Sequence, residues 1–114
     1  MDKKILRLKE WGCDIDGAMS RFMNNEGMYL SFLDRVKNDS LFNKLLSSVK
    51  ENDIKEAFNN AHTLKGILGN MGLTPMYEPT CEIADSLRIG KTIGIIEKCQ
   101  KLLDLKEEYI ELIK

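Results

Sequence analysis

The sequence predicts an all-α protein, and three observations favour that fold class. Apolar residues recur at spacings of three and four along nearly the whole chain, whereas the alternation typical of a half-buried strand is nearly absent. Proline occurs only at Pro75 and Pro79, so few positions are unsuited to a helix interior. A length of 114 residues suits one domain with one modest hydrophobic core. The short connections between the predicted helices indicate an up-down bundle of antiparallel neighbours, capped at one end by small N-terminal helices.

Composition narrows the class of protein further. Apolar residues make up 43% and charged residues 31%, which is typical of a globular domain. Lys and Arg (17) nearly balance Asp and Glu (18), so no global field attracts nucleic acid or a membrane surface. No apolar run approaches the roughly 20 residues that span a bilayer, and the first residues lack the apolar stretch of a signal peptide. We expect a cytoplasmic protein that binds neither nucleic acid nor membrane, and a monomer because nothing demands a dimer.

The N-terminal half is predicted to contain short helices followed by one long segment. A first helix covers residues 3–10, and Asp16 is the predicted N-cap of a second short helix. A long helical segment follows over residues 26–50. Its polar cluster at 38–40 offers the backbone competing hydrogen bonds and is the place where the segment would bend or break. A turn at 52–53 supplies the cap of the next helix.

The C-terminal half is predicted to contain three longer helices. The first spans residues 54–71. Thr74 followed by proline then signals the start of the second, but Pro79 requires either a restart there or a distorted first turn. Gly90 is the predicted residue just past its end. The last helix covers residues 91–113.

The helix over residues 54–71 carries the candidate site. At about 100° per residue, its apolar side chains form one broad stripe that must face the core. His62 lies at the edge of that stripe, and Lys65, Gly66 and Gly69 lie on the same side. Each glycine costs about 1 kcal/mol relative to alanine in a helix interior, so packing alone does not explain them.

These residue types suit a phosphoryl acceptor. A neutral imidazole is a competent nucleophile near neutral pH, and Lys65 places an ammonium beside any anionic group on the ring of His62. The missing side chains of Gly66 and Gly69 would let another protein approach. A lone helical histidine is, however, more often a boundary residue without function, and spacing alone leaves both interpretations open.

The string AHTLKGILGNMG, residues 61–72, resembles the signature of histidine-containing phosphotransfer (HPt) domains. That signature is a phosphorylatable histidine, then lysine and glycine three and four residues on, and a further glycine near the helix end. The likeness extends from Trp11 through the last helix. It implies a single HPt domain over residues 1–114, with a variable N-terminal helix in 1–10 and a family-like four-helix bundle in 11–114.

The resemblance also implies roles for individual residues. His62 would be the phosphoacceptor, exchanging its phosphoryl group with aspartates of response-regulator receiver domains. Lys65 and Arg88 would support the phosphoryl group, while Gly66 and Gly69 would give the partner access. The protein would be a phosphocarrier rather than an enzyme. It would bind no metal or cofactor itself, because Mg²⁺ would sit in the receiver's acidic site. Its partners would be a receiver domain and a sensor or hybrid histidine kinase.

The sequence departs from the family pattern at one supporting position. Many members carry a polar side chain on the following helix that hydrogen-bonds the imidazole, and the matching residue here is Ala84. Glu82 or Ser86 are candidate substitutes, and the helical wheel does not choose between them.

Two other functions stay open. One is the phosphoacceptor domain of a chemotaxis-type histidine kinase, although that arrangement typically uses a second histidine and this chain has only one. The other is an adaptor that binds a receiver without accepting phosphate. The three scattered cysteines, Cys13, Cys81 and Cys99, are expected to be reduced thiols because no pair has metal-site or disulfide-framework spacing.

Overall fold

The fold is entirely helical, as predicted. The computed structural model describes every residue from 1 to 114 and contains seven helices and no strand. The helices are α1 (Lys3–Trp11), α2 (Ile15–Arg21), α3 (Glu26–Lys37), α4 (Leu41–Lys50), α5 (Ile54–Asn70), α6 (Thr74–Arg88) and α7 (Ile95–Leu112).

The last four helices form the predicted four-helix bundle. Each of α4, α5 and α6 packs against its successor, and α7 closes the ring by packing against α4. Short connections between consecutive helices make the neighbours antiparallel. Helix α3 precedes α4 and also contacts α7. The Tyr109 hydroxyl of α7 donates to the Leu33 carbonyl oxygen at 2.7 Å, and the Lys106 ammonium donates to the Asp39 carbonyl oxygen at 3.5 Å.

The N-terminal helices cover one end of the bundle. The Arg7 guanidinium on α1 donates to the carbonyl oxygens of Leu112 and Lys114, each at 3.1 Å. The Asp14 backbone N–H donates to the Gly72 carbonyl oxygen at 2.8 Å. Gly72 has φ +69°, and a Cβ there would collide with the Asp14 carbonyl oxygen. Glycine is therefore required where the end of α5 meets the start of α2.

Two predicted helix starts were wrong. The N-cap of α2 is Asp14 rather than Asp16, since the Asp14 carboxylate accepts from the Gly17 backbone N–H at 3.1 Å and the buried Ile15 begins the helix. Helix α7 begins at Ile95 rather than at residue 91. Gly94, with φ +74°, holds the left-handed backbone conformation that delays the start.

The long segment predicted over residues 26–50 is broken at the polar cluster. Helix α3 ends at Lys37 and α4 begins at Leu41. The Asp39 carboxylate accepts from the Leu41 backbone N–H at 2.9 Å, the competing hydrogen bond that such a residue offers.

Helix α6 continues through Pro79, so a restart there is excluded. The first helical residues are Thr74 and Pro75, as the sequence predicted. Pro79 leaves the Pro75 carbonyl oxygen without its usual helical donor, and the helix tolerates that loss one turn from its start. Gly90 follows the end of α6 with φ +75°, as expected of the residue beyond a helix end.

No helix in the structure combines the length and apolar character needed to cross a membrane.

Candidate functional site

Helix α5 positions the candidate site. The Asp53 carboxylate caps its first turn by accepting from the Glu56 backbone N–H at 3.2 Å. The predicted core stripe is confirmed along most of its length, because one row of its side chains is fully buried: Ala57, Ala61, Leu64 and Leu68. Burying this row fixes the rotation of α5 about its axis, and the opposite face is therefore held towards solvent.

His62 lies on that solvent face, and an aromatic side chain supports its ring. The imidazole is exposed and stacks on Phe58 one turn earlier, with ring centroids 5.7 Å apart and planes inclined by 24°. The hydrogen bonds of the structure include none to His62 from Glu82 or Ser86. Ala84, on the facing helix, is 3% exposed. Stacking on Phe58 is the aromatic contact that the imidazole makes within the chain.

The predicted site residues of α5 share one surface groove. His62, Lys65, Gly66 and Gly69 line a depression of about 260 Å³ together with Tyr77 of α6, and we call this the site groove. Lys65 is half-buried, and neither of the two ion pairs in the structure involves it. Its ammonium is therefore available to an anionic group in the groove.

The two glycines of the groove have different surroundings. A Cβ built on Gly66 would meet no atom within 4 Å, so this position is open towards solvent. A Cβ built on Gly69 would lie 2.8 Å from Cε1 of Tyr77. The space left by Gly69 is thus occupied from within the chain, by an aromatic ring. The space beside Gly66 is therefore open and the space beside Gly69 holds the Tyr77 ring, while partner access at either glycine stays a prediction.

Tyr77 is a groove residue that sequence reasoning missed. Two features of the sequence are consistent with it. Gly69 is unfavourable in the interior of α5, and an aromatic residue follows in the first turn of the next helix, which antiparallel packing brings alongside Gly69. Interaction with the Cys81 side chain raises the pKa of Tyr77. The phenol is therefore protonated, and able to donate a hydrogen bond, throughout the neutral range.

The structure does not bring Arg88 into the site groove. The Arg88 guanidinium pairs with the Asp85 carboxylate at 3.5 Å, and both side chains are more than half exposed. The spacing i, i+3 on the surface of α6 accounts for this pairing. Arg88 is thus placed near the end of α6 without contact to the groove-lining residues of α5.

Cysteines and acidic residues form no second chemical centre. All three cysteines are free, and burial raises the pKa of Cys13 to about 12 and that of Cys99 to about 11. Thiols with such pKa values are protonated and unreactive at neutral pH. No cluster of three or more His, Cys, Asp or Glu side chains is arranged to hold a metal ion.

The features described so far, a helical bundle with a surface histidine beside a lysine and a glycine, are those of the histidine phosphotransfer class of proteins. The chain belongs to the Hpt domain family, whose sequence model matches residues 29–114. It is accordingly a phosphorelay signal-transduction module of the phosphocarrier type. The match begins in α3, so the proposed domain boundary at residue 11 stays a prediction. No curated protein and no solved structure matches the chain significantly.

Proposed function

We propose that this protein carries a phosphoryl group on His62 and exchanges it with an aspartate of response-regulator receiver domains. The observation that carries the proposal is the exposed imidazole of His62 at the edge of a groove that also contains an unpaired lysine and an open glycine. Membership of the Hpt family indicates the type of reaction, and the groove indicates which residues of this chain would carry it out.

The proposed step is a nucleophilic displacement at phosphorus. A ring nitrogen of neutral His62 attacks the aspartyl phosphate of the receiver, so that a P–N bond forms as the P–O bond to the carboxylate breaks. The carboxylate leaves with the electron pair, and the other ring nitrogen keeps its proton. Transfer to a receiver runs the same step in reverse. The Mg²⁺ that offsets phosphoryl charge would be held by the receiver.

The residues around His62 have separate proposed roles. Stacking on Phe58 keeps the imidazole in one orientation, with its edge presented to the partner. Lys65, one turn further along α5, stabilises the dianionic phosphoryl group through a charge-assisted hydrogen bond. Gly66 lets the receiver surface approach the ring closely, because nothing of this chain fills the space beside it.

The test is phosphoryl transfer from a phosphorylated receiver, or from a sensor kinase through a receiver. Wild-type protein should acquire acid-labile, base-stable label, and His62→Gln should acquire none. Lys65→Gln should be labelled more slowly, whereas the matched control Lys101→Gln, which removes an exposed lysine of α7, should behave as wild type. Circular dichroism confirms that each variant is folded.

Two results would contradict this assignment. Label that persists in His62→Gln would show that another residue is the acceptor. A receiver that binds wild-type protein tightly but never transfers label to it would support the adaptor function instead.

A further inference from the structure

Tyr77 enters the site groove from the neighbouring helix. It is the one groove-lining residue that α5 does not contribute, and its side chain is half-buried. The ring edge lies against Gly69, where Cε1, Cδ1 and Cζ would all be within 3.6 Å of a Cβ on that glycine. The absence of a side chain at Gly69 therefore fixes where this ring can lie.

Tyr77 lines the same groove as His62 and Lys65. The phenol interacts with the side chain of Cys81, one turn further along α6. Because α5 and α6 are antiparallel and Gly69 faces Tyr77, one turn forward on α6 corresponds to one turn back on α5. That level is occupied by Lys65, which lies between Gly69 and His62. Tyr77 and Lys65 therefore lie on adjacent turns of the two helices, in the same groove as His62.

We propose that the Tyr77 hydroxyl donates a hydrogen bond to the phosphoryl group carried by His62, as a second donor beside Lys65. The inference rests on the proposed function and specifies which side chains of this chain hold the transferred group. A phosphoryl group presents three strong acceptor oxygens. Lys65 and Tyr77 are the two groove side chains, apart from His62 itself, that have a hydrogen to donate.

Two other positions of α6 named from the resemblance do not line the groove. Ala84 has no polar group, and Arg88 is paired with Asp85 outside the groove. Tyr77 approaches from nearer the beginning of α6 and reaches the groove because Gly69 admits its ring. The phenol is neutral, so it would donate a hydrogen bond without adding charge. It would therefore favour the phosphorylated form without interfering with the Lys65 ammonium.

The alternative is that Tyr77 only packs α6 against α5. Tyr77→Phe separates the two roles, because it keeps the ring against Gly69 and removes only the hydroxyl. Tyr77→Ala removes both. Cys81→Ala is the matched control: it deletes the neighbour of the hydroxyl and leaves the hydroxyl itself.

The experiment measures the phosphoryl-transfer equilibrium between this protein and a receiver, together with ³¹P NMR of protein phosphorylated by the small donor phosphoramidate. Tyr77→Phe should shift the equilibrium towards the receiver by about threefold to tenfold, as loss of one hydrogen bond to a charged group at a partly exposed site predicts. The ³¹P resonance should move as well. Cys81→Ala should match wild type in both measurements.

An equilibrium and a ³¹P resonance for Tyr77→Phe that equal those of wild type would overturn the inference, most plainly if Tyr77→Ala alone reduced transfer. Failure of the proposed function gives a different result, because wild-type protein would then carry no phosphohistidine with either donor.

Discussion

The two sides of helix α5 form contrasting grooves. The site groove, towards α6, contains His62 and Lys65 without hydrogen-bond or ion-pair partners. The α4–α5 groove, on the other side, is lined only by polar or charged residues, which are Ser40, Asn43, Lys44, Ser47, Ser48, Glu51, Glu56 and Asn60. By composition alone, the second groove would be the more polar candidate site.

Hydrogen bonding distinguishes the buried polar residues of the α4–α5 groove from the polar residues of the site groove. Asn60 and Ser48 are both buried, and they satisfy each other: the Asn60 amide donates to the Ser48 hydroxyl at 3.4 Å, and that hydroxyl donates to the Leu45 carbonyl oxygen at 2.9 Å. Their polarity serves the packing of α4 on α5. In the site groove the polar groups are left available to a ligand. The buried polar residues of the α4–α5 groove thus have their partners within the chain, whereas His62 and Lys65 of the site groove have none.

The largest expected effect comes from closing the site groove. Gly66→Leu should leave the fold intact and reduce phosphoryl transfer at least about a hundredfold, because a displacement of about 1 Å between reacting groups has that effect. Stopped-flow or radiolabel transfer assays measure the rate. Gly66→Ala is the control for helix propensity: its Cβ meets only open space, so the free energy of unfolding should rise by about 1 kcal/mol. Transfer by Gly66→Leu at the wild-type rate would refute the clearance role.

The converse effect is expected in the α4–α5 groove. Asn60→Ala should lower the free energy of unfolding by about 1–2 kcal/mol, because Ser48 loses its donor at a buried site. Transfer should change less than about twofold, since Asn60 faces α4 and does not line the site groove. Urea denaturation and the transfer assay measure the two quantities. A large loss of transfer in a folded Asn60→Ala protein would erase the distinction between the grooves.

Two buried tyrosines lie outside the site groove, so the pH dependence of their ionisation reports on the stability of the fold rather than on the site. Burial raises the pKa values of Tyr29 and Tyr109, whose hydroxyls donate to the carbonyl oxygens of Met71 and Leu33. The folded state keeps these phenols protonated at pH values where the unfolded chain ionises them. The buried thiols of Cys13 and Cys99 should make the free energy of unfolding begin to fall above about pH 9, and the two tyrosines should steepen the fall above about pH 10, by up to about 1.4 kcal/mol per pH unit for each group.

Denaturation of wild type and Tyr109→Phe across this range checks the prediction. The variant should be less stable at neutral pH, because it loses a buried hydrogen bond, but should show the shallower alkaline decline. Equal slopes for the two proteins would contradict the assignment of the decline to this phenol.

The smallest effect is expected at Arg88. Because its side chain is exposed and pairs only with Asp85, Arg88→Ala should change the free energy of unfolding by less than about 0.5 kcal/mol. Transfer should change less than about twofold, far less than in Lys65→Gln, since an exposed surface pair contributes so little. The same transfer assay compares the two variants. A loss as large as that of Lys65→Gln would restore the phosphate-supporting role that the resemblance predicted for Arg88.

The sequence predicted what depends on local patterns. The core stripe of α5, the break at residues 38–40 and the placement of His62 at the boundary follow from periodicity and from backbone competition by short polar side chains. The start of α7 was mispredicted because the left-handed conformation of Gly94 is not visible in an apolar pattern. Tyr77 was missed for a different reason. Its place in the groove depends on the alignment of α6 along α5, and a helical wheel of one helix carries no information about that alignment.

His62 is the proposed phosphoryl acceptor, and the chain allows an unusually direct test because it contains one histidine. Uniformly ¹⁵N-labelled protein should be phosphorylated by a receiver and its imidazole nitrogens observed by NMR. One ring nitrogen should change its chemical shift and show coupling to ³¹P, and acid treatment should restore the original spectrum. Unchanged ring nitrogens in protein that nevertheless carries the phosphoryl group would contradict the claim.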